Sequence, residues 1–182
     1  NLFMSGPPGT GKTMLAKALA SLLPPLTRNE ILEVTEIYSV AGILEPGEVA
    51  KSSRPFRSPH HTASDIALVG GGSSPRPGEI SLAHRGVLFL DEVAEFSRSL
   101  LDNLRQPLES GQIIISRAAG SVFYPARFIL VAAMNPCPCG YAGDNTKECI
   151  CRAIDLLKYQ RKISGPIMDR IDMWVEVSQI NH

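Results

Sequence analysis

The sequence has no excess of charge of either sign, because 18 lysine and arginine residues balance 18 aspartate and glutamate residues. A domain-wide basic surface is therefore absent, and any site for nucleic acid must be a local patch. No apolar run approaches the roughly 20 residues that span a bilayer, so no membrane association is expected. No internal repeat and no targeting segment is visible either.

The composition is that of an ordinary globular protein. The chain has 182 residues, of which 44% are hydrophobic and 20% are charged. This length predicts one domain with a substantial core. The chain opens on Asn1, at the start of a predicted core strand and without an initiator methionine, so we expect it to be a piece of a longer protein.

An eight-residue glycine-rich stretch carries the strongest signal in the chain. It has the pattern G-x-x-x-x-G-K-T and consists of Gly6, Pro7, Pro8, Gly9, Thr10, Gly11, Lys12 and Thr13. This pattern predicts a phosphate-binding loop, in which Lys12 reaches the β- and γ-phosphates and Thr13 places its hydroxyl on Mg²⁺. A short apolar run precedes it, and a run of helix formers follows, so a chance glycine-rich turn is the weaker interpretation.

Polar residues follow two predicted core strands further along the chain. Asp91 and Glu92 end the apolar run at residues 87–90, and Asn135 follows the apolar run at residues 128–133. Asp91 is predicted to hold Mg²⁺, Glu92 to orient the attacking water, and Asn135 to bind the γ-phosphate and that water. The alternatives are a solvated acidic turn and a loop asparagine. The absence of an N-K-x-D motif argues against a GTPase.

The order of predicted elements indicates an α/β fold with a doubly wound parallel sheet. Ligands bind at the carboxyl ends of the strands in such sheets, where the polar residues above are expected. We predict helices at residues 13–23, 28–38, 97–109 and 152–163, and one or two helical turns at 62–69. Thr27 followed three residues later by Glu30 predicts a capping box at the start of the second helix. We predict strands at 54–61, 87–90, 128–133 and 173–177, a hairpin at 112–116 and 121–128, and a loop without regular structure at 70–78.

Motifs spread over nearly the whole chain resemble the AAA+ ATPases, and within them the magnesium-chelatase-like branch that includes competence helicases. The matching stretches are GPPGTGKT, RPFRSPHHTAS, LVGGGSSPRPGEISLAHRGVLFLDEV, RQPLESG, ISRAAG, YPAR, VAAMNPCPCGY and SGPIMDRID. The resemblance implies ATP as ligand, a hexameric motor, a helix-2 insertion, and a hairpin before the sensor strand. It also implies an N-terminal Lon-like domain and a C-terminal lid, both of which we expect to lie outside this sequence. It assigns Arg170 as an arginine finger; the alternative is a surface ion-pair cluster with Asp169 and Asp172.

Four cysteines form two C-x-C pairs separated by nine residues. Four thiolates complete a tetrahedral Zn²⁺ site, which we predict for Cys137, Cys139, Cys149 and Cys151. The alternative is four reduced thiols in a mobile loop. Nucleotide chemistry without a visible targeting segment favours the cytoplasm, where disulfides are rare. The adjacent His60 and His61 are interpreted as packing or loop residues rather than ligands.

Two acid-free stretches are candidates for contact with DNA phosphates. Arg117 and Arg127 lie on the predicted hairpin, and Lys51, Arg54 and Arg57 lie between Glu48 and Asp65. The alternative is solvated surface charge. The leading hypothesis is an ATP-dependent motor acting on DNA in branch migration during natural transformation. A metal-chelatase motor subunit and a nucleotide-gated scaffold remain as alternatives, and Glu92 argues against the scaffold.

Overall fold

A five-stranded parallel sheet forms the centre of the protein. The computed structural model describes residues 1–72, 75–117, 120–143 and 147–178, with the backbone alone at residue 117. Within them the strands are β1 (Leu2–Ser5), β2 (Phe56–Arg57), β3 (Gly70–Gly71), β4 (Arg76–Pro77), β5 (Val87–Leu90), β6 (Gln112–Arg117), β7 (Gly120–Pro125), β8 (Ile129–Met134) and β9 (Met173–Glu176). The central sheet has the order β2-β5-β8-β1-β9, and all of its pairs are parallel.

Helices connect the strands and cover the sheet. They are α1 (Lys12–Leu22), α2 (Arg28–Ala41), α3 (Asp65–Val69), α4 (Glu79–Leu82), α5 (Arg98–Asp102), α6 (Arg105–Ser110), α7 (Ala153–Gln160) and α8 (Gly165–Met168), with a 3₁₀ turn at Val93–Glu95. None of the helices in the described ranges is long and apolar enough to cross a membrane. The predicted α/β class with a parallel sheet flanked by helices is confirmed.

The alternation of side chains along β5 shows why this strand is apolar throughout. Val87 and Phe89 pack with Ala16 of α1 on one face of the sheet. Leu88 and Leu90 point to the other face and join a larger core with the hairpin, α5 and α7. A strand that is buried on both faces has no position for a polar side chain until it ends. The first polar residues, Asp91 and Glu92, therefore follow the carboxyl end of β5, at the edge of the sheet where the parallel strands end.

The predicted capping box and the predicted hairpin are confirmed, except that the second hairpin strand ends at Pro125 and not at residue 128. The Thr27 side chain accepts a hydrogen bond from the Glu30 backbone, and the Glu30 carboxylate accepts one from the Thr27 backbone, which is a complete capping box at the start of α2. The hairpin of β6 and β7 precedes β8, pairing from Gln112–Pro125 to Arg117–Gly120. Of the predicted turn at residues 118–120, Gly120 begins β7, and residues 118–119 lie outside the described residues.

Three predictions about local structure are wrong. Residues 70–78 do not lack regular structure: β3 and β4 pair as a small ribbon, and the Tyr124 hydroxyl donates to the Pro75 carbonyl at 2.9 Å. The ribbon requires glycine, because a Cβ on Gly70 would lie 2.4 Å from the Arg76 carbonyl oxygen. Residues 73–74, also within that prediction, lie outside the described residues.

The single helix predicted over residues 97–109 is divided into α5 and α6. Pro107 has no N–H to donate to the carbonyl of Asn103, which breaks a continuous helix near that point. Arg127 is not on the hairpin but in the connection from β7 to β8, where its backbone N–H donates to His84 Nδ1 at 3.0 Å.

Candidate nucleotide site and cysteine cluster

Lys12 lies buried at the carboxyl end of the sheet, with 8% of its surface exposed. Its Nζ donates to the carbonyl oxygens of Gly6 and Pro7 at 2.8 Å each, and lies 3.3 Å from Asn135 Oδ1. Burial lowers the pKa of the Lys12 amine, and the nearby carboxylates of Asp91 and Glu92 act in the opposite direction. A buried ammonium whose hydrogen-bond acceptors are neutral oxygens fits an anionic ligand, because a phosphate supplies the missing countercharge.

The loop before Lys12 adopts the backbone that an anion site needs. Gly9 and Gly11 have φ of 80° and 82°, and a Cβ on either would meet no other atom within 4 Å, so the space above the loop is open. Helix α1 begins at Lys12 with no side chain capping its first turn. Its first N–H groups are therefore available to phosphate oxygens, and the helix dipole favours negative charge there.

Thr13 and Asp91 meet across the site. The Thr13 hydroxyl donates to Asp91 Oδ2 at 2.8 Å. The first residue of this pair comes from α1 and the second from the end of β5, as the sequence predicts. Hydroxyl and carboxylate oxygens are ligands that Mg²⁺ prefers, and these two residues are placed to hold the ion together with phosphate oxygens.

Glu92 has an unusual backbone conformation, with φ 50° and ψ 46°. These angles lie in the left-handed region, which residues other than glycine rarely adopt. Such strain at a sheet edge is typical of functional residues. The Glu92 side chain is exposed, and its Oε2 lies 3.8 Å from Nδ1 of His61.

The position of His61 is the feature that the sequence interpretation missed. His61 lies in the loop after β2, with its ring 4.1 Å from the His60 ring and 6.3 Å from the Phe96 ring, measured between centroids. The same packing places His61 beside Glu92. The only signal in the sequence was that His61 follows β2, the strand that pairs with β5.

Arg170 does not join the nucleotide site of its own chain. Its guanidinium contacts the Glu109 carboxylate and the Pro166 carbonyl oxygen. The alternative of a local cluster with Asp169 and Asp172 is not what the structure records, because Asp172 instead pairs with the amino group of Asn1. Arg170 is therefore half-buried away from the nucleotide site, where Glu109 on α6 holds it.

The four cysteines come together as free thiols beyond the end of β8. The sulfur of Cys137 lies 3.3 Å from that of Cys139 and 3.7 Å from that of Cys149, and the sulfurs of Cys139 and Cys149 are 3.6 Å apart. All four sulfurs, including that of Cys151, lie within 4.8 Å of one another. Four sulfurs at 2.3 Å from a tetrahedral zinc would be about 3.8 Å apart, so the cluster fits this ion.

The basic stretch at residues 51–57 is neutralised by the fold. Lys51 pairs with Glu48 at 3.3 Å and Arg54 lies 3.8 Å from Glu30. Arg57 makes two bonds of 2.6 Å to the Glu79 carboxylate on α4. Each of these cations has a carboxylate partner, which for Arg54 and Arg57 is distant in sequence, and this argues against the DNA-contacting role considered for them.

Comparison with known proteins identifies the family. Residues 1–182 match the family described as "Magnesium chelatase, subunit ChlI". The chain belongs to this family of AAA+ ATPases. This magnesium-chelatase-family chain is 53% identical to the competence protein ComM of Haemophilus influenzae and 53% identical to YifB of Escherichia coli, each over 178 residues. Both matches cover 97% of the chain and 34% of the relative.

A more distant relative and a solved structure extend the comparison. The magnesium-chelatase 38 kDa subunit of Rhodobacter capsulatus is 30% identical over 145 residues, covering 72% of this chain and 41% of that one. The crystal structure of NtrX from Brucella abortus in complex with ADP superposes with a TM-score of 0.59 at 18% identity, covering 97% of this chain and 31% of that one. The chain spans about a third of the length of ComM and YifB.

Proposed function

We propose that this chain is the ATP-hydrolysing unit of a hexameric ring that moves DNA strands, with branch migration as its activity. The observation that carries the proposal is the network at the sheet edge. Lys12 bonds to the phosphate loop and Asn135, and Thr13 bonds to Asp91, so that the ends of three neighbouring strands converge on one anion site. The likeness to a protein named for competence supports DNA as the partner.

Each residue has a chemical task in this proposal. Lys12 and the N–H groups of the loop bind phosphate oxygens, and Thr13 with Asp91 holds Mg²⁺, which neutralises phosphate charge. Glu92 orients a water for attack, and Asn135 holds the position of that water and of the terminal phosphate. Arg170 acts on the nucleotide of a neighbouring subunit.

The hairpin of β6 and β7 is the proposed DNA contact. Phe123 on β7 has 60% of its surface exposed, and no acidic residue occurs between Glu109 and Asp144 in the sequence. An exposed aromatic ring in a region without negative charge suits stacking on a base, which contributes about 1–3 kcal/mol per base.

The test is ATP turnover by the full-length protein with and without forked DNA. We expect stimulation by DNA, and loss of that stimulation with unchanged basal turnover in Phe123→Ala. Val49→Ala, which truncates another exposed apolar side chain at 92% exposure, is the matched control. ATP turnover that does not respond to any DNA would contradict the DNA motor.

A chelatase motor is the second candidate, favoured by the 30% identity to the Rhodobacter capsulatus subunit. The same nucleotide site serves both functions, so the site does not separate them. Stimulation of turnover by partner chelatase subunits instead of DNA would support this candidate. A scaffold that binds ATP without hydrolysing it predicts that turnover is absent in both assays.

We also propose that the four cysteines hold one structural Zn²⁺ per chain. The support is the tetrahedral spacing of the sulfurs and the burial of Cys137. Elemental analysis of protein purified without a metal-affinity column tests this. One equivalent of zinc is expected, and four freely titratable thiols without metal would contradict it.

A further inference from the structure

The loop that carries the cysteines touches the phosphate loop directly. Gly140 lies between the two cysteine pairs and has φ of 88°. A Cβ on Gly140 would lie 2.8 Å from Cδ and 3.3 Å from Cγ of Pro8, the third residue of the phosphate loop. The backbone of Gly140 therefore lies against the ring of Pro8 with no space for a side chain between them.

A second connection runs along the chain from the sheet. Asn135, the oxygen partner of Lys12, is separated from Cys137 by one residue. Cys137 is completely buried, its carbonyl accepts from the Gly140 N–H at 3.0 Å, and its sulfur accepts from the Ala142 N–H at 3.2 Å. The position of Cys137 thus fixes both Asn135 on one side and Gly140 on the other.

The protein itself supplies little apolar packing to hold this loop in place. Of residues 137–143 and 147–151, Cys137 and Gly140 are the buried ones, and Ile150 has 86% of its surface exposed. A segment with few buried contacts opens at low free-energy cost. A metal bound by all four thiolates joins residues 137–139 to residues 149–151 and replaces that missing packing.

We propose that the four-cysteine cluster is a metal-dependent brace of the nucleotide site, in which bound zinc holds Gly140 against Pro8 and Asn135 against Lys12. Zinc occupancy then raises nucleotide affinity. This inference rests on the proposed binding of ATP and zinc, and it adds that the two sites are coupled. Coupling is reciprocal, so nucleotide raises zinc affinity by the same factor, which for coupled sites is about 5- to 150-fold.

Two glycine variants test the contact with the phosphate loop. Gly140→Ala and Gly143→Ala both add a Cβ at a left-handed backbone, at φ 88° and 79°, but a Cβ on Gly143 meets nothing within 4 Å. We expect Gly140→Ala to weaken ADP binding by about tenfold relative to Gly143→Ala, measured by calorimetry on the full-length protein. Equal ADP affinity of the two variants and the parent would overturn the coupling.

The reciprocal experiment needs no variant and does not depend on the folding of one. The zinc affinity of the parent is measured by competition with a chelator, with and without saturating ADP. We expect ADP to raise zinc affinity by the same factor by which zinc raises ADP affinity. A parent that binds no ADP would remove both the proposed function and the brace. A parent that binds ADP and zinc independently would remove the brace alone.

Discussion

At the scale of single residues, Lys12 is the residue that we propose binds the phosphates of the nucleotide. Its buried Nζ is bonded to Gly6, Pro7 and Asn135, all of them neutral acceptors. We expect Lys12→Ala to weaken ATP binding by about 10- to 100-fold, because hydrogen bonds to charged groups contribute about 1.5–3 kcal/mol. Calorimetric titration measures this, with Lys17→Ala on the exposed side of α1 as the control. Equal affinity in the Lys12 variant and the parent would remove the phosphate-loop assignment.

Glu92 is expected to affect turnover and not binding. Glu92→Gln keeps the size of the side chain but removes the negative charge that orients water, so ATP affinity is retained while turnover falls by about 10²–10⁴. Single-turnover hydrolysis measures the chemical step, and Glu95→Gln, an exposed acid in the same turn, serves as control. Hydrolysis by Glu92→Gln at the parental rate would show that another group orients the water.

At the scale of elements, a buried histidine ties α2 to the start of β8. His84 is 2% exposed; its Nδ1 accepts from the Arg127 N–H, and its Nε2 lies 3.0 Å from Glu33 Oε2 on α2. Burial lowers the pKa of His84 from its ordinary 6.5, although Glu33 acts in the opposite direction. The hydrogen bond from Arg85, followed by that from His84, lowers the pKa of Glu33 from 4.5 to about 2.

These shifts predict loss of stability in acid. Both groups hold protons less tightly in the folded state, so the unfolded state binds more protons as pH falls. The contribution of His84 to the free energy of unfolding is fully present above its ordinary pKa and is lost as pH falls below about 6.5. The contribution of Glu33 to the free energy of unfolding is fully present above pH 4.5, the ordinary pKa of a glutamate, and is lost as pH falls towards about 2.

Urea unfolding at about pH 7 and pH 5 measures the histidine part. We expect the free energy of unfolding to depend less on pH in His84→Gln than in the parent over this interval. His60→Gln, which changes an exposed histidine, should keep the parental dependence. The same pH dependence in the His84 variant and the parent would assign the effect to other groups.

Local signals predict elements well, and contacts between distant residues explain the failures. The capping box at Thr27 and Glu30 acts within one turn, so it marks the start of α2 from the sequence alone. The ribbon of β3 and β4 depends on Tyr124, which lies 49 residues after Pro75. The sequence therefore shows the glycines as turn signals but not the partner that orders them.

The candidate nucleotide site was also only partly predictable from the sequence. The phosphate loop, Asp91 and Asn135 were recognisable because strand ends in a parallel sheet converge. The approach of His61 to Glu92 and the carboxylate partners of Arg54 and Arg57 were not, because they depend on how loops cross the sheet edge. The order of charged residues along the chain does not show which carboxylate the fold brings to each lysine or arginine side chain.

At the scale of the whole molecule, Arg170 predicts dependence on a neighbouring subunit. Within one chain it contacts Glu109 and Pro166. We expect Arg170→Ala in the full-length protein to reduce ATP turnover by about 10³–10⁵ while ATP affinity stays nearly unchanged, because an arginine supplied in trans stabilises transition-state charge. Steady-state turnover and calorimetry measure the two quantities.

Mixing two inactive variants distinguishes an arginine that acts on a neighbouring subunit from a substitution that only damages the fold. In rings of Arg170→Ala and Glu92→Gln chains, an interface takes its arginine from one chain and its glutamate from the other. Random mixing makes about a quarter of such interfaces complete, so turnover should partly recover. No recovery in mixed rings, or normal turnover by Arg170→Ala alone, would contradict action in trans.

The pairing of β1 with β9 has a consequence for how the protein is made. Leu2 to Ser5 align with Met173 to Glu176, and a Cβ on Gly6 would lie 2.1 Å from the Val177 carbonyl oxygen. During translation the phosphate loop leaves the ribosome roughly 170 residues before this neighbour, a separation that slows folding. A nascent chain stalled before residue 173 should therefore fail to retain ATP, and nucleotide should assist only the last step of folding.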